Sequence, residues 1–149
     1  MFDEKLIRIG LEGEDRETVI MNLAEVMIAE GRVHKAYVAS VLAREEQFPT
    51  GLPTVPVGVA IPHALAADDV LEPCIAAATL VKPVPFGQPG TDEPVPVRII
   101  FLLAIKDADQ HLELLRRLGK IFTDPDVLSQ LVEAHSVFDF IRIAGGIAE

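Results

Sequence analysis

An α/β fold, with a mixed β-sheet sandwiched between helices in the order β-α2-β3-α3, is what this 149-residue sequence predicts. Three observations lead there. Apolar runs rich in Val and Ile stand at residues 6–11, 57–61, 74–81 and 95–105, too short or too β-branched to read as helices. Stretches with helical spacing and capping residues fill the interval after the first run and everything after the last. No segment repeats another and none is of low complexity. Strands and helices in this order bury a sheet between helical layers.

The first run alternates Ile7, Ile9 and Leu11 with Arg8 and Gly10, the period of a strand with one buried face. Asp15 then caps a helix carrying Val19, Ile20, Leu23, Val26 and Met27, and Gly31 suits its left-handed exit. A second helix, over 34–47, presents Val38, Val41 and Leu42. Pro49, Gly51, Pro53 and Pro56 break regular structure before the strand at 57–61, which Pro62 stops. The strands at 74–81 and 95–105 are joined by 82–94, whose proline and glycine density predicts an exposed loop. Asp107 or Asp109 caps a helix bearing Leu112, Leu115, Leu118 and Phe122. Asp124-Pro125 starts the next helix, and Ser136 with Asp139 forms a capping box for the last.

A hydrophobic content of 50% is ample for one core without disulfides or metals, so residues 1–149 are read as a single domain. The 23 Asp and Glu outnumber the 13 Lys and Arg, a balance that repels nucleic acid and anionic membranes and attracts a basic partner. The lone cysteine, Cys74, suits a reducing cytoplasm. Residues 1–5 lack a basic region followed by an apolar one, and the apolar runs fall short of a membrane span, so a cytoplasmic protein with no membrane insertion is expected.

Candidate chemistry centres on Gly58-Val59-Ala60-Ile61-Pro62-His63-Ala64, which sets an imidazole after a proline at the mouth of a sheet. Small neighbours, Ala60, Ala64, Ala66 and Ala67, would leave that ring accessible to another protein; alternatively His63 merely ends a strand and bonds a carbonyl. His111 falls in the first turn of a helix, where free amides and the macrodipole favour anions, but its spacing also fits a core-edge histidine. Arg44, ending the second helix, is able to bind a phosphoryl oxygen bidentately or to pair with acidic neighbours. His34 and His135 beside helix ends read as surface or capping residues. Two histidines without further ligands make a poor zinc site, and neither a nucleophile elbow nor a phosphate-cradling glycine loop is found. Cys74 reads as a packing residue.

These segments, in order, are Arg44-Glu45 with Thr50-Gly51-Leu52, Gly58 to His63, Ile100-Phe101-Leu102-Leu103-Ala104, and Gln110-His111-Leu112 with Leu115. In that order the chain resembles enzyme IIA of the fructose and mannitol class of the bacterial phosphotransferase system, nearly end to end. Within it, Val84-Pro85-Phe86-Gly87 with Asp92 and Pro94 resembles the galactitol type. The resemblance implies that His63 is the phosphorylated histidine, at Nε2, that His111 supports it, and that Arg44 is the family arginine. It implies a phosphotransferase component with a phosphohistidine intermediate and no cofactor or magnesium. The donor would be HPr and the acceptor a cysteine of enzyme IIB, which serves sugar bound in the membrane enzyme IIC. An alternative from the same resemblance is a regulatory relative of the nitrogen type, whose phosphorylation state signals to partners. A hydrolase using His63 and His111 is disfavoured by the missing ligands and nucleophile.

Overall fold

The computed structural model describes residues 1–65 and 67–148. Its elements are β1 (Ile7–Leu11), α1 (Arg16–Ala29), α2 (Ala36–Gln47), β2 (Gly51–Leu52), β3 (Gly58–Ala60), β4 (His63–Ala64), β5 (Cys74–Gln88), β6 (Thr91–Ala104), α3 (Ala108–Phe122), α4 (Pro125–Val132) and α5 (Val137–Ala148). The predicted order is present, with the two-residue strands β2 and β4 added to it. Four helix starts use the capping side chain expected of them, while α2, preceded by Lys35, has no side-chain cap. The Asp15 carboxylate accepts from the Thr18 amide at 2.8 Å, Asp107 (not Asp109) accepts from Gln110 at 2.8 Å, and Asp124 accepts from Asp126 and Val127 with Pro125 behind it. The Ser136 hydroxyl accepts from the Asp139 amide at 3.1 Å. Gly31, at φ +70°, turns the chain out of α1.

The sheet runs β1-β5-β6-β3-β2, with β4 beside the far end of β6. It is mixed: β1 is parallel to β5 and both β3 and β4 are parallel to β6, while the β5/β6 and β2/β3 pairs are antiparallel. Along β6, Ile100, Leu102 and Ala104 pack with α1 and α2 through Leu23, Met27, Tyr37 and Val41. The intervening Ile99, Phe101 and Leu103 pack with α3, α4 and α5 through Leu118, Ile121, Leu128 and Phe140. A central strand covered on both faces has no polar face to show, which is why residues 95–105 read as an unbroken apolar run.

The segment 82–94 is not the exposed loop its composition predicts. It extends β5 and β6 into one long hairpin that turns at Gly90, φ +74°. Val84, Phe86, Val95 and Val97 are buried at every second position, while Pro83, Pro85, Pro94 and Pro96 face outward between them. Proline is excluded from a strand only where its missing N–H is needed; the ladder here is irregular, the four residues of β5 between Thr79 and Val84 facing Arg98 alone of β6. The period-2 burial therefore prevails over proline density. On α3, Leu112 is 68% exposed and does not join the core, which is served by Leu118 and Ile121. No helix among the described residues is long and apolar enough to cross a membrane.

Candidate active site

His63 does not simply end a strand. β3 stops at Ala60, Pro62 interrupts the ladder, and the chain re-enters the sheet as β4, with His63 opposite Leu103 and Ala64 opposite Ala104 of β6. The Pro62 carbonyl accepts from the Leu103 amide at 3.0 Å, so the peptide before His63 is fixed to the central strand. The His63 ring lies 3.0 Å, through Nδ1, from the Ile61 carbonyl oxygen. A carbonyl only accepts, so Nδ1 carries the proton and, in the neutral ring, Nε2 carries the lone pair.

β6 ends one short turn before α3, and that turn delivers His111 to the same edge of the sheet. The two imidazole rings lie 4.5 Å apart between centroids, tilted by 53°. Arg44 arrives from the last turn of α2, its guanidinium 5.1 Å above the Phe48 ring. The structure thus brings together the three residues singled out in sequence, from α2, β4 and α3. Nε2 of His63, Nε2 of His111 and Nε of Arg44 are all buried, with no hydrogen-bond partner among the described residues. Burial holds the His63 pKa below the usual histidine value; the bond to Ile61 opposes this, and the charges of His111 and Arg44 add to it. His111 is lowered by burial and then by Arg44. Among the described residues Arg44 makes no ion pair, so the reading of it as a surface salt bridge does not hold.

The expected openness around His63 is corrected. The residue is only 8% exposed, because Ala60 and Ala64 are themselves core residues and the His111 ring leans on it. Ala66 and the side chain of Ala67 lie outside the described residues. Exposed apolar side chains stand next in the chain instead: Phe48 at 59%, Leu65 at 55% and Leu112 at 68%. A cavity of about 540 Å³ lined by Cys74, Ile75, Ile105, Leu114 and Arg117 includes none of the three site residues. Cys74 is half-buried at the start of β5, its thiol pushed up to about 11 by burial. His34 and His135 are exposed.

Sequence reasoning missed a buried polar chain behind the site. Glu45, 2% exposed, accepts from the Thr50 amide and from the Thr50 hydroxyl, each at 2.8 Å. The Thr50 hydroxyl oxygen accepts from the Ile61 amide at 3.2 Å. The Tyr37 hydroxyl, on the same helix, donates to the Leu103 carbonyl of β6. A signal was available: Tyr37, Val41 and Glu45 recur at every fourth position, which puts a carboxylate on the buried stripe of α2. Gly51 follows from packing, since a Cβ there would meet the Gly87 carbonyl oxygen at 2.5 Å.

Residues 1–144 match the family described as phosphoenolpyruvate-dependent sugar phosphotransferase system, EIIA 2. The chain belongs to that family. As an EIIA it is a phosphoryl-carrying component of the sugar phosphotransferase system. It is 31% identical over 129 residues to the galactitol-specific EIIA component of Escherichia coli K12, covering 85% of this chain and 83% of the relative. The fold is that of IIA mannitol from Escherichia coli, with a TM-score of 0.80 at 23% identity over 97% of this chain and 99% of that one. The complex of enzyme IIA mannitol with phosphorylated enzyme IIB mannitol of Escherichia coli superposes with a TM-score of 0.83, at 23% identity over 98% of each chain.

Proposed function

We propose that this EIIA takes a phosphoryl group on Nε2 of His63, with His111 and Arg44 stabilising its charge. One observation carries the reading: three buried polar atoms, without partners among the described residues, gather at one edge of the sheet, while the other nitrogen of His63 is already committed to Ile61. Unsatisfied buried polar groups are costly and await a ligand, and two flanking cationic or donor groups suit an anion. The His63 lone pair attacks phosphorus in line; the new bond is Nε2–P, and the bond that breaks is P–N of the donor, whose electron pair returns to the donor ring. The positive charge left on the His63 ring is shared with the Ile61 carbonyl through Nδ1–H. Positioning and electrostatics supply the catalysis, and no metal ion enters the reading. Because Nε2 is covered, the His111 ring has to shift as the donor docks.

The donor in this reading is phospho-HPr, and the acceptor is a cysteine of an enzyme IIB that works with a membrane enzyme IIC on galactitol. Phe48, Leu65 and Leu112 around the site offer an apolar contact for both partners, and the excess of acidic residues speeds encounter with a basic face. The protein acts in the cytoplasm, as one IIA domain over residues 1–149. Mixing the phosphorylated protein with enzyme IIB candidates of its own organism tests the pathway. Rapid discharge to a galactitol-type IIB is expected. Failure of every IIB, alongside phosphorylation-dependent binding of another soluble protein, would replace uptake by signalling.

A further inference from the structure

We propose that Thr50 and Glu45 are positioning residues that clamp the Ile61 peptide and thereby keep His63 in the Nδ1–H tautomer, with the Nε2 lone pair facing the incoming group. The inference rests on His63 being the phosphoryl acceptor. Ile61 lies just beyond β3, so its amide has left the regular ladder of that strand, and the Thr50 hydroxyl oxygen receives it at 3.2 Å. A hydroxyl has a single proton. Here that proton is given to Glu45 Oε1 at 2.8 Å, which leaves an oxygen lone pair for the Ile61 N–H. The Thr50 amide holds the second carboxylate oxygen at 2.8 Å, so the carboxylate is fixed as well. On the other side of the same residue, the Ile61 carbonyl takes the His63 Nδ1 proton at 3.0 Å.

The choice of a carboxylate is informative. Burying Glu45 to 2% exposure with no ion pair among the described residues is unfavourable, and burial raises its pKa against the two Thr50 bonds. A leucine on that face of α2 would fill the stripe of Tyr37 and Val41 at no such cost. A carboxylate, unlike an amide side chain, only accepts, so it compels the Thr50 proton to point away from Ile61 and sets the direction of every bond in the chain. The backbone is stiffened at its far end too. Pro62 has a fixed φ, its carbonyl bonds the Leu103 amide, and the Leu103 carbonyl takes the Tyr37 hydroxyl. Helix α2 therefore supplies Arg44 to the front of the site and Glu45, one residue on, to its back.

The test uses the full chain in three forms: wild type, Thr50→Val, which keeps the shape and removes the hydroxyl, and Thr50→Ser, which restores it. Long-range proton–nitrogen correlation spectra of the neutral His63 ring read the tautomer, and single-turnover transfer from phospho-HPr reads the rate. The expected result is an Nδ1–H ring in the wild type, a mixed or Nε2–H ring in T50V with transfer slowed by about 10- to 100-fold, and recovery of both in T50S. An Nε2–H ring in the wild type, or an unchanged tautomer in T50V whatever its rate, overturns the proposal. If T50V does not fold, Glu45→Gln is judged by the same tautomer criterion. The spectra need no phosphoryl donor, so a wild type that fails to accept phosphate defeats the acceptor assignment while leaving the clamp separately scored.

Discussion

His111 leans its imidazole on that of His63, 4.5 Å between ring centroids, and its charge helps to hold the His63 pKa down. Both lie under the influence of Arg44, and all three leave a buried nitrogen without a partner among the described residues. A phosphoryl group on His63 would be met by Arg44 and, once its ring has shifted, by His111.

Replacing Arg44 or His111 with Ala is expected to slow transfer by about 10²-fold while leaving the fold intact, the usual effect of losing one preorganised charge-stabilising group. Single-turnover labelling from phospho-HPr measures it, with circular dichroism as the control for folding. Wild-type rates in both variants would make these side chains structural.

The pH profile follows from the direction of the histidine shifts. His63 titrates below its ordinary value, so its ring is neutral and nucleophilic at pH 7, and acceptance should fall only as pH drops below about 6.5. Arg44→Ala removes a charge that disfavours the imidazolium of both rings, so the His63 and His111 pKa values should rise and the acid limb should move to higher pH. Proton chemical-shift titration of the two rings checks the sign; a fall in either value contradicts the geometry.

Much of this arrangement was legible in the sequence, for reasons that particular residues explain. Asp15, Asp124 and the apolar periods are local signals, and local signals located the helices and the sheet. His63 and His111 were visible because a histidine after proline and a histidine in a first helical turn are unusual settings, and the family resemblance joined them to Arg44. What escaped was non-local. The prolines of 82–94 concealed a hairpin whose burial alternates through Val84 and Phe86. Glu45 reads in the sequence only as a neighbour of Arg44, and its bonds to Thr50 emerge with the fold; of the four alanines that suggest openness around the histidine, Ala60 and Ala64 are absorbed by the core.

The hairpin finding has its own test. Phe86 is completely buried within the core shared with α1 and α2, so Phe86→Ala should cost about 3–5 kcal/mol of stability, as large-to-small changes at aromatic core positions do. Urea denaturation measures it. A loss within about 0.5 kcal/mol, the range of ordinary surface substitutions, would return the segment to the status of a loop.

Cys74 is expected to take no part in transfer. Its thiol is half-buried, with a pKa pushed up to about 11, so almost none is thiolate at neutral pH. Cys74→Ser should accept phosphate and discharge it to enzyme IIB at the wild-type rate. A slowed discharge would implicate the thiol.

The acceptor assignment is tested most directly by exposing the protein to phosphoenolpyruvate, enzyme I and HPr, and locating the phosphoryl group by intact mass and phosphorus NMR. One acid-labile phosphoryl group on Nε2 of His63, absent from His63→Ala, is the predicted result; undiminished labelling of His63→Ala, or a phosphoryl group on Nδ1, would contradict it.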